Sequence, residues 1–375
     1  MFELNIDNVL KYGTMLCDNI LEDFPEGMIN PLPYRFDYHK GVLLSGMEKM
    51  SKLVNKEKYE DFIKSWIDLV VTEDGVVQNN GKGWCSFESL DFRQPGILLF
   101  NIYRRTGDEK YAKAIRYLTE SLNEYPVTEK GTLWHAVYFP REVWLDGLYM
   151  ASPIMTMYAM EFDKPEYLDM AANQILTMYE TMKDDRGLLH HGYDYTKQAI
   201  WADPITGLSP EVWGRAIGWF VMGIAEILEY LPKEHKDYQR IVEIEQEILF
   251  VLCKYQHASG RWFQVIDKVD DSRNWLENSA SNLITAALAK CIRVRILSAQ
   301  YLENIEKSFN GIMNTVRIEG DRIIVPEICA GTNIETGTLE HYYNRPVIEN
   351  DKHGTGTFLI MLAEVGLLLN NDMSV

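Results

Sequence analysis

Cysteine is scarce in this chain: five residues in 375, at Cys17, Cys85, Cys253, Cys291 and Cys329, an odd number with no CxxC spacing. That argues against a disulfide framework and against a cysteine-based zinc site, and it fits a reducing compartment. Long apolar runs are also missing, and the first residues lack a basic segment leading into an apolar one. Neither a membrane span nor a secretory signal is read, so the expected location is the cytoplasm. Cations are in short supply: 37 Lys and Arg against 55 Asp and Glu leave a net charge of −18. Nucleic acid and anionic membrane surfaces need a basic footprint, so both are disfavoured as partners. A small anionic ligand held by one locally placed Arg or His is not excluded. No linker, low-complexity tract or fixed-period repeat interrupts the chain, and residues 1–375 are read as one domain.

What is present is helical periodicity. Tyr111, Ile115, Leu118 and Leu122 follow one face of a helix, as do Leu168, Ala171, Ile175 and Tyr179. The same pattern predicts twelve helices, near 5–22, 38–53, 56–72, 93–106, 108–124, 144–161, 164–183, 211–230, 236–256, 279–294, 298–315 and 353–370. The connections alternate in length. From the second helix to the eleventh, pairs are joined by short turns, whereas segments 23–37, 73–92, 125–143, 184–210, 257–278 and 316–352 are long. Helices joined by short turns lie antiparallel, so the long loops all collect at one end of the assembly. Six such hairpins closed into a ring form an all-α (α/α)6 toroid with its functional residues at the long-loop end. The alternating run that begins DRIIV after position 320 predicts a small β-hairpin in the last long loop.

The long loops hold most of the Trp, His, Gly and Pro, a composition suited to a carbohydrate cleft in which rings stack on sugar faces and polar tips meet hydroxyls. Asp146 is flanked by Trp144, Leu145, Leu148 and Tyr149, an apolar setting expected to raise its carboxyl pKa and suit it to general-acid work. Its structural alternative is a charge at a helix N-terminus. Asp91, with Gln94 three residues on and Pro95 next, reads by itself as a helix N-cap. Two carboxyls brought together, however, split their pKa values into one acid and one base. His135 and His191 show no HExxH or similar metal spacing, and neither a metal nor a cofactor is expected. Trp213 and Arg215, two apart at the start of a helix, can face one cleft. Arg215 would hold a carboxylate in a bidentate fork, with a structural salt bridge as its alternative.

The segments YHKG, LDFRQPG, WH before VYFP, VWLDGLYM, HGYD, VWGRAIGW, WFQV and HGTGTF run through nearly the whole chain. In that order they resemble the unsaturated glucuronyl and rhamnogalacturonyl hydrolases, glycoside hydrolase families 88 and 105, and more the latter. The resemblance implies an (α/α)6 barrel and an oligosaccharide substrate ending in a 4,5-unsaturated uronic acid made by a polysaccharide lyase. It implies that Asp146 protonates the ring double bond and then activates water. Asp91 is the second acidic position, expected to assist and to hold up the pKa of Asp146. Tyr38, His135, Trp144, His191, Trp213 and Arg215 fall at substrate-binding positions. One position departs: Ala136 follows His135 where relatives often carry a basic or polar residue. A local positive spot around Arg215 is expected to offset the acidic chain. Three other readings stand beside this one: a glucuronyl hydrolase acting on glycosaminoglycan-type fragments, a non-catalytic sugar-binding toroid, and an (α/α)6 epimerase or ordinary glycosidase.

Overall fold

All twelve expected helices occur in the computed structural model, which describes residues 3–30, 32–78 and 88–372. Trp84 and Cys85 lie outside the described residues. The first helix, α1, is Ile6–Asp23, and five hairpins follow it. These are α2 and α3 (Tyr38–Val54, Glu57–Val70), α4 and α5 (Ile97–Thr106, Glu109–Glu120), and α6 and α7 (Asp146–Phe162, Glu166–Met182). Then come α8 and α9 (Gly214–Tyr230, Tyr238–Lys254) and α10 and α11 (Asn278–Arg293, Leu302–Met313). A short helix that periodicity does not reveal, α12 (Leu339–Tyr343), sits in the last long loop before α13 (Lys352–Asp372).

Inner and outer helices differ as their burial demands. On outer α5, Asp108 caps the N-terminus by accepting from the Lys110 amide at 3.0 Å, and Tyr111, Ile115 and Leu118 form the single buried face. On inner α8 every residue from Gly214 to Ala225 is buried, because other helices surround it. The inner ring is α2, α4, α6, α8, α10 and α13, and α13 packs on both α2 and α10 to close it. α1 packs on α13, so the sixth pair joins the two ends of the chain. At the closure the backbones come unusually close. A Cβ on Gly356 would stand 2.8 Å from the Leu43 amide nitrogen, and one on Gly46 would stand 2.6 Å from the Gly356 carbonyl oxygen. This is an (α/α)6 toroid.

Short strands in the long loops fasten the loops to one another. β1 (Glu142–Trp144) pairs antiparallel with β2 (Gly192–Asp194), and β3 (Trp262–Phe263) with β4 (Leu276–Glu277). The expected hairpin forms as β5 (Arg317–Glu319) and β6 (Arg322–Ile324), turning at Gly320 with φ of +67°. β7 (Ile328–Cys329) and β8 (Val347–Ile348) complete the set. The described cysteines 17, 253, 291 and 329 are free thiols. Among the described residues no helix is long and apolar enough to cross a membrane.

Candidate active site

The six inner helices all begin at the long-loop end, so their positive dipole ends surround one mouth. Asp146 is the first residue of α6, one past the N-cap Leu145, so it does not occupy the cap position. It faces His191 instead, because β1–β2 pairing sets Trp144 opposite Gly192 and the Leu145 amide donates to the His191 carbonyl at 3.0 Å. Asp91 is not a helix cap either. It lies inside a 3-10 turn, Leu90–Phe92, whose cap is Ser89, with the Asp91 amide donating to the Ser89 hydroxyl at 3.2 Å. Two such turns precede α4, which is why that helix starts at Ile97 rather than near 93.

The expected site residues form a chain of direct contacts. Asp91 Oδ1 lies 3.8 Å from His135 Nε2, and the His135 ring stacks on Trp144 with centroids 4.3 Å apart. Trp144 meets His191 edge-on at 5.8 Å, and His191 Nε2 is 3.3 Å from Asp146 Oδ2. Trp213 packs against His191 at 4.7 Å, and the Arg215 guanidinium lies 4.7 Å over the Trp213 ring. Tyr38 enters from α2, where its phenol meets His353 Nε2 at 2.7 Å while feeling the charges of Asp91, Arg215 and Asp146.

Among the described residues, several buried polar atoms at this mouth find no hydrogen-bond partner: Asp146 Oδ2, His191 Nε2, His135 Nδ1 and Trp213 Nε1. The Asp146–His191 pair is close enough for attraction but misaligned for a hydrogen bond. Buried polar atoms are seldom left unpaired, so a cluster of them at one mouth is a candidate for ligand contact.

The electrostatics correct the expectation for Asp146. Burial alone would raise its carboxyl, but the facing His191, with His135 behind it, outweighs burial and holds it below the usual carboxylate range. Asp91 is the raised carboxyl, pushed up by burial and by the charge of Asp146, with His135 and His39 opposing. Asp91 is thus the higher of the two and Asp146 the lower, the reverse of the sense read from the apolar flanks of Asp146, and the imidazoles account for the lowering. Those flanks are neighbours in sequence, whereas the imidazoles arrive from other loops. Burial lowers the pKa of His191 against the pull of Asp146, and it lowers that of His353 to about 3, aided by Arg215.

Arg215 also departs from expectation. Its buried guanidinium donates to the carbonyls of Cys329 at 2.5 Å and Ala330 at 2.9 Å, and among the described residues it has no salt bridge. The expected cationic spot lies instead beside Tyr38, where Arg35, His39, Lys40 and Lys352 surround Asp37 and Asp351 around a cavity of about 250 Å3.

Tyr342, Asp351 and His353 were not singled out by sequence. The Tyr342 phenol holds His191 Nδ1 at 2.7 Å, and Asp351 Oδ1 holds His353 Nδ1 at 2.5 Å. His353 opens the HGTGTF segment, one of those that carry the family resemblance, while α12, which carries Tyr342, gives no periodic signal. Among the described residues, Asp169, His235 and Asp237 are grouped closely enough to share a metal ion. They sit at the short-turn end, where Lys236 already neutralises Asp169 at 2.6 Å, and they have no part in this mouth.

With this geometry in place, comparison with known proteins is decisive. The sequence profile of Glycosyl Hydrolase Family 88 matches residues 14–369. The chain belongs to that family. It is similar to a family 105 glycoside hydrolase from C. acetobutylicum ATCC 824, with a TM-score of 0.88 and 33% identity over 95% of this chain and 99% of that one. It is 26% identical to the unsaturated rhamnogalacturonyl hydrolase YesR of Bacillus subtilis (strain 168), over 89% of this chain and 90% of that protein. An unsaturated glucuronyl hydrolase from Bacillus sp. GL1 shares the fold at a TM-score of 0.72 with 12% identity, over 96% of each chain. Family membership makes the protein a glycoside hydrolase.

Proposed function

We propose that this enzyme releases a terminal 4,5-unsaturated uronic acid from lyase-generated oligosaccharides of the rhamnogalacturonan type, by hydrating the ring double bond. The observation that carries the reading is the split carboxyl pair, Asp91 raised and Asp146 lowered, in a mouth of unpartnered imidazole and indole atoms. The likeness to YesR favours the pectic class over glycosaminoglycan fragments. Retention of both carboxyls in one cleft speaks against a purely sugar-binding toroid.

In the free enzyme the pair carries its most readily held proton on Asp91. An entering uronate brings a further negative charge and excludes water, which pushes both carboxyl pKa values up and lets Asp146 take a proton. Asp146 gives that proton to C4. As a carboxylate it then draws a proton from the water that adds at C5, leaving a hemiketal that opens and frees the next sugar. His135, His191 and Trp213 offer the unpartnered atoms to substrate oxygens, and Trp144 and Tyr38 wall the ring. Arg215 acts on substrate through its charge and through Trp213. The whole chain is read as one catalytic domain, working without metal or cofactor, and its free thiols favour the cytoplasm.

The test is ultraviolet absorbance of unsaturated pectic oligosaccharides mixed with the protein. Hydration removes the conjugated chromophore, so absorbance falls as a reducing sugar appears. Stable absorbance on both pectic and glycosaminoglycan fragments would overturn the proposal.

A further inference from the structure

Tyr38 and His353 meet where the ring of inner helices closes. Tyr38 is the first residue of α2 and His353 the second of α13. Their contact belongs to a chain of three side chains. Asp351 Oδ1 lies 2.5 Å from His353 Nδ1, and His353 Nε2 lies 2.7 Å from the Tyr38 phenol oxygen. The start of this chain is held firmly. Asp351 directly precedes α13, where its carbonyl accepts from the Thr355 amide at 2.9 Å and its Oδ1 also accepts from the His353 amide at 3.0 Å. The buried His353 ring packs edge-on against His39 at 4.5 Å. Neither Asp351 nor His353 is needed for the proton transfers of hydration.

The direction of each hydrogen bond follows from what each group can donate. Burial would raise the Asp351 carboxyl, but the bonds it accepts from His353 hold it far below the usual range, so it is ionised and can only accept. His353, held neutral by burial with a pKa of about 3, has one ring hydrogen, and Asp351 requires it on Nδ1. Nε2 is left as a bare lone pair. The Tyr38 phenol, pushed well up by burial and by the charge of Asp91, keeps its proton and donates it there.

We infer that Asp351 and His353 are positioning residues that engage the one hydrogen of the Tyr38 hydroxyl and so turn its oxygen into a fixed acceptor for a substrate hydroxyl. The inference rests on the function proposed above. An ordinary tyrosine hydroxyl rotates and serves as donor or acceptor. In this chain the remaining lone pairs of Tyr38 lie at the mouth, where Asp91, Arg215 and Asp146 act on the same phenol. They accept from a sugar hydroxyl and repel an anionic oxygen, which keeps the carboxylate of the bound ring away from this side.

A double-mutant cycle tests it. Tyr38→Phe keeps the ring and removes the acceptor, so KM for the unsaturated pectic disaccharide should rise about fivefold with kcat nearly unchanged. His353→Phe frees the hydroxyl to rotate and should raise KM about threefold. The double variant should match Tyr38→Phe within about twofold, because His353 then has no hydroxyl to orient. Losses that multiply would overturn the inference, since a merely structural His353 acts whether or not the hydroxyl is present. A second measurement needs no substrate: nitrogen NMR of the imidazoles in the folded protein, with His353 assigned by its shift in Tyr38→Phe. A neutral ring with hydrogen on Nδ1 is expected, and hydrogen on Nε2 would overturn the inference even where His353→Phe does not fold. Calorimetric binding of the disaccharide to the same variants carrying Asp146→Asn reads the cycle without turnover. Coupled losses in binding with no hydrolysis by the parent enzyme would therefore uphold the inference and overturn only the catalytic proposal.

Discussion

His191 stands between Asp146 and Tyr342: its Nε2 is 3.3 Å from the carboxylate and its Nδ1 is 2.7 Å from the phenol oxygen. The phenol, with its pKa pushed well up by burial, keeps its proton and is hydrogen-bonded to Nδ1. That contact holds the ring so that Nε2 faces the Asp146 carboxylate without a hydrogen bond to it. A five-residue helix in the last loop thus orients a histidine from the fourth long loop.

Tyr342→Phe keeps the ring that packs on Trp213 and removes only the hydrogen bond. The imidazole then loses its orientation, and kcat/KM should fall by about tenfold with little change in melting temperature. Steady-state kinetics beside a thermal melt checks this, and an equal loss of activity and stability would mean that Tyr342 merely holds the loop.

Asp146→Asn keeps shape but can neither deliver nor accept the proton. Turnover should drop by at least about a thousandfold while oligosaccharide affinity, read by calorimetry, stays within about threefold. Substantial residual turnover would move the acid role to Asp91, the carboxyl that already sits high in the free enzyme.

Two aspartates at this mouth should shift stability in opposite directions. Asp91 has a raised carboxyl, so the folded protein binds its proton more tightly than the unfolded chain, and stability falls as pH rises through that window. Asp91→Asn removes the buried charge and should raise the melting temperature at pH 7 by roughly 2 °C, a gain that fades as pH drops and Asp91 protonates. Asp37 is the reverse. Burial would raise it, but His39 and Lys40 hold it far below the usual range, so its contribution is full at neutral pH and lost as pH falls. Asn keeps the cap of α2 that Asp37 provides, so Asp37→Asn should lower the melting temperature at pH 7, and that deficit should shrink in acid.

How far the sequence could be read depended on the range of the interaction. The helices and the toroid were legible because burial of a helix face repeats every few residues and because turn lengths alternate along the chain. Asp91 and Asp146 were legible as a pair through the family motifs, but their charges were not. The cap signal at Asp91 is satisfied by Ser89, two residues earlier, and the local apolar flanks of Asp146 are overruled by His135 and His191 from separate loops. Tyr342 escaped notice because nothing local requires it. Its role exists only once the last loop folds over the mouth.

Arg215 shows the same long-range logic and gives the sharpest reversal. From sequence its guanidinium reads either as a fork for a carboxylate or as a structural salt bridge. In the structure two of its nitrogens satisfy the buried carbonyls of Cys329 and Ala330, and Ser279 Oγ is a third, longer contact at 3.4 Å. Its removal takes the guanidinium from the Cys329 carbonyl, leaves that of Ala330 with the Cys329 thiol at 3.2 Å as donor, and unpins the loop that carries Tyr342, so Arg215→Ala should cost about 2–4 kcal/mol of stability. Arg215→Lys should recover little, since one ammonium on a narrower stem cannot reproduce a planar two-nitrogen contact. Denaturant melts of both variants, with KM for the pectic disaccharide measured well below the transition, separate the two roles. A full-strength fold with KM raised several-fold would restore the carboxylate fork, and a weakened fold with kcat reduced through a loosened His191 would establish Arg215 as the anchor of the loop.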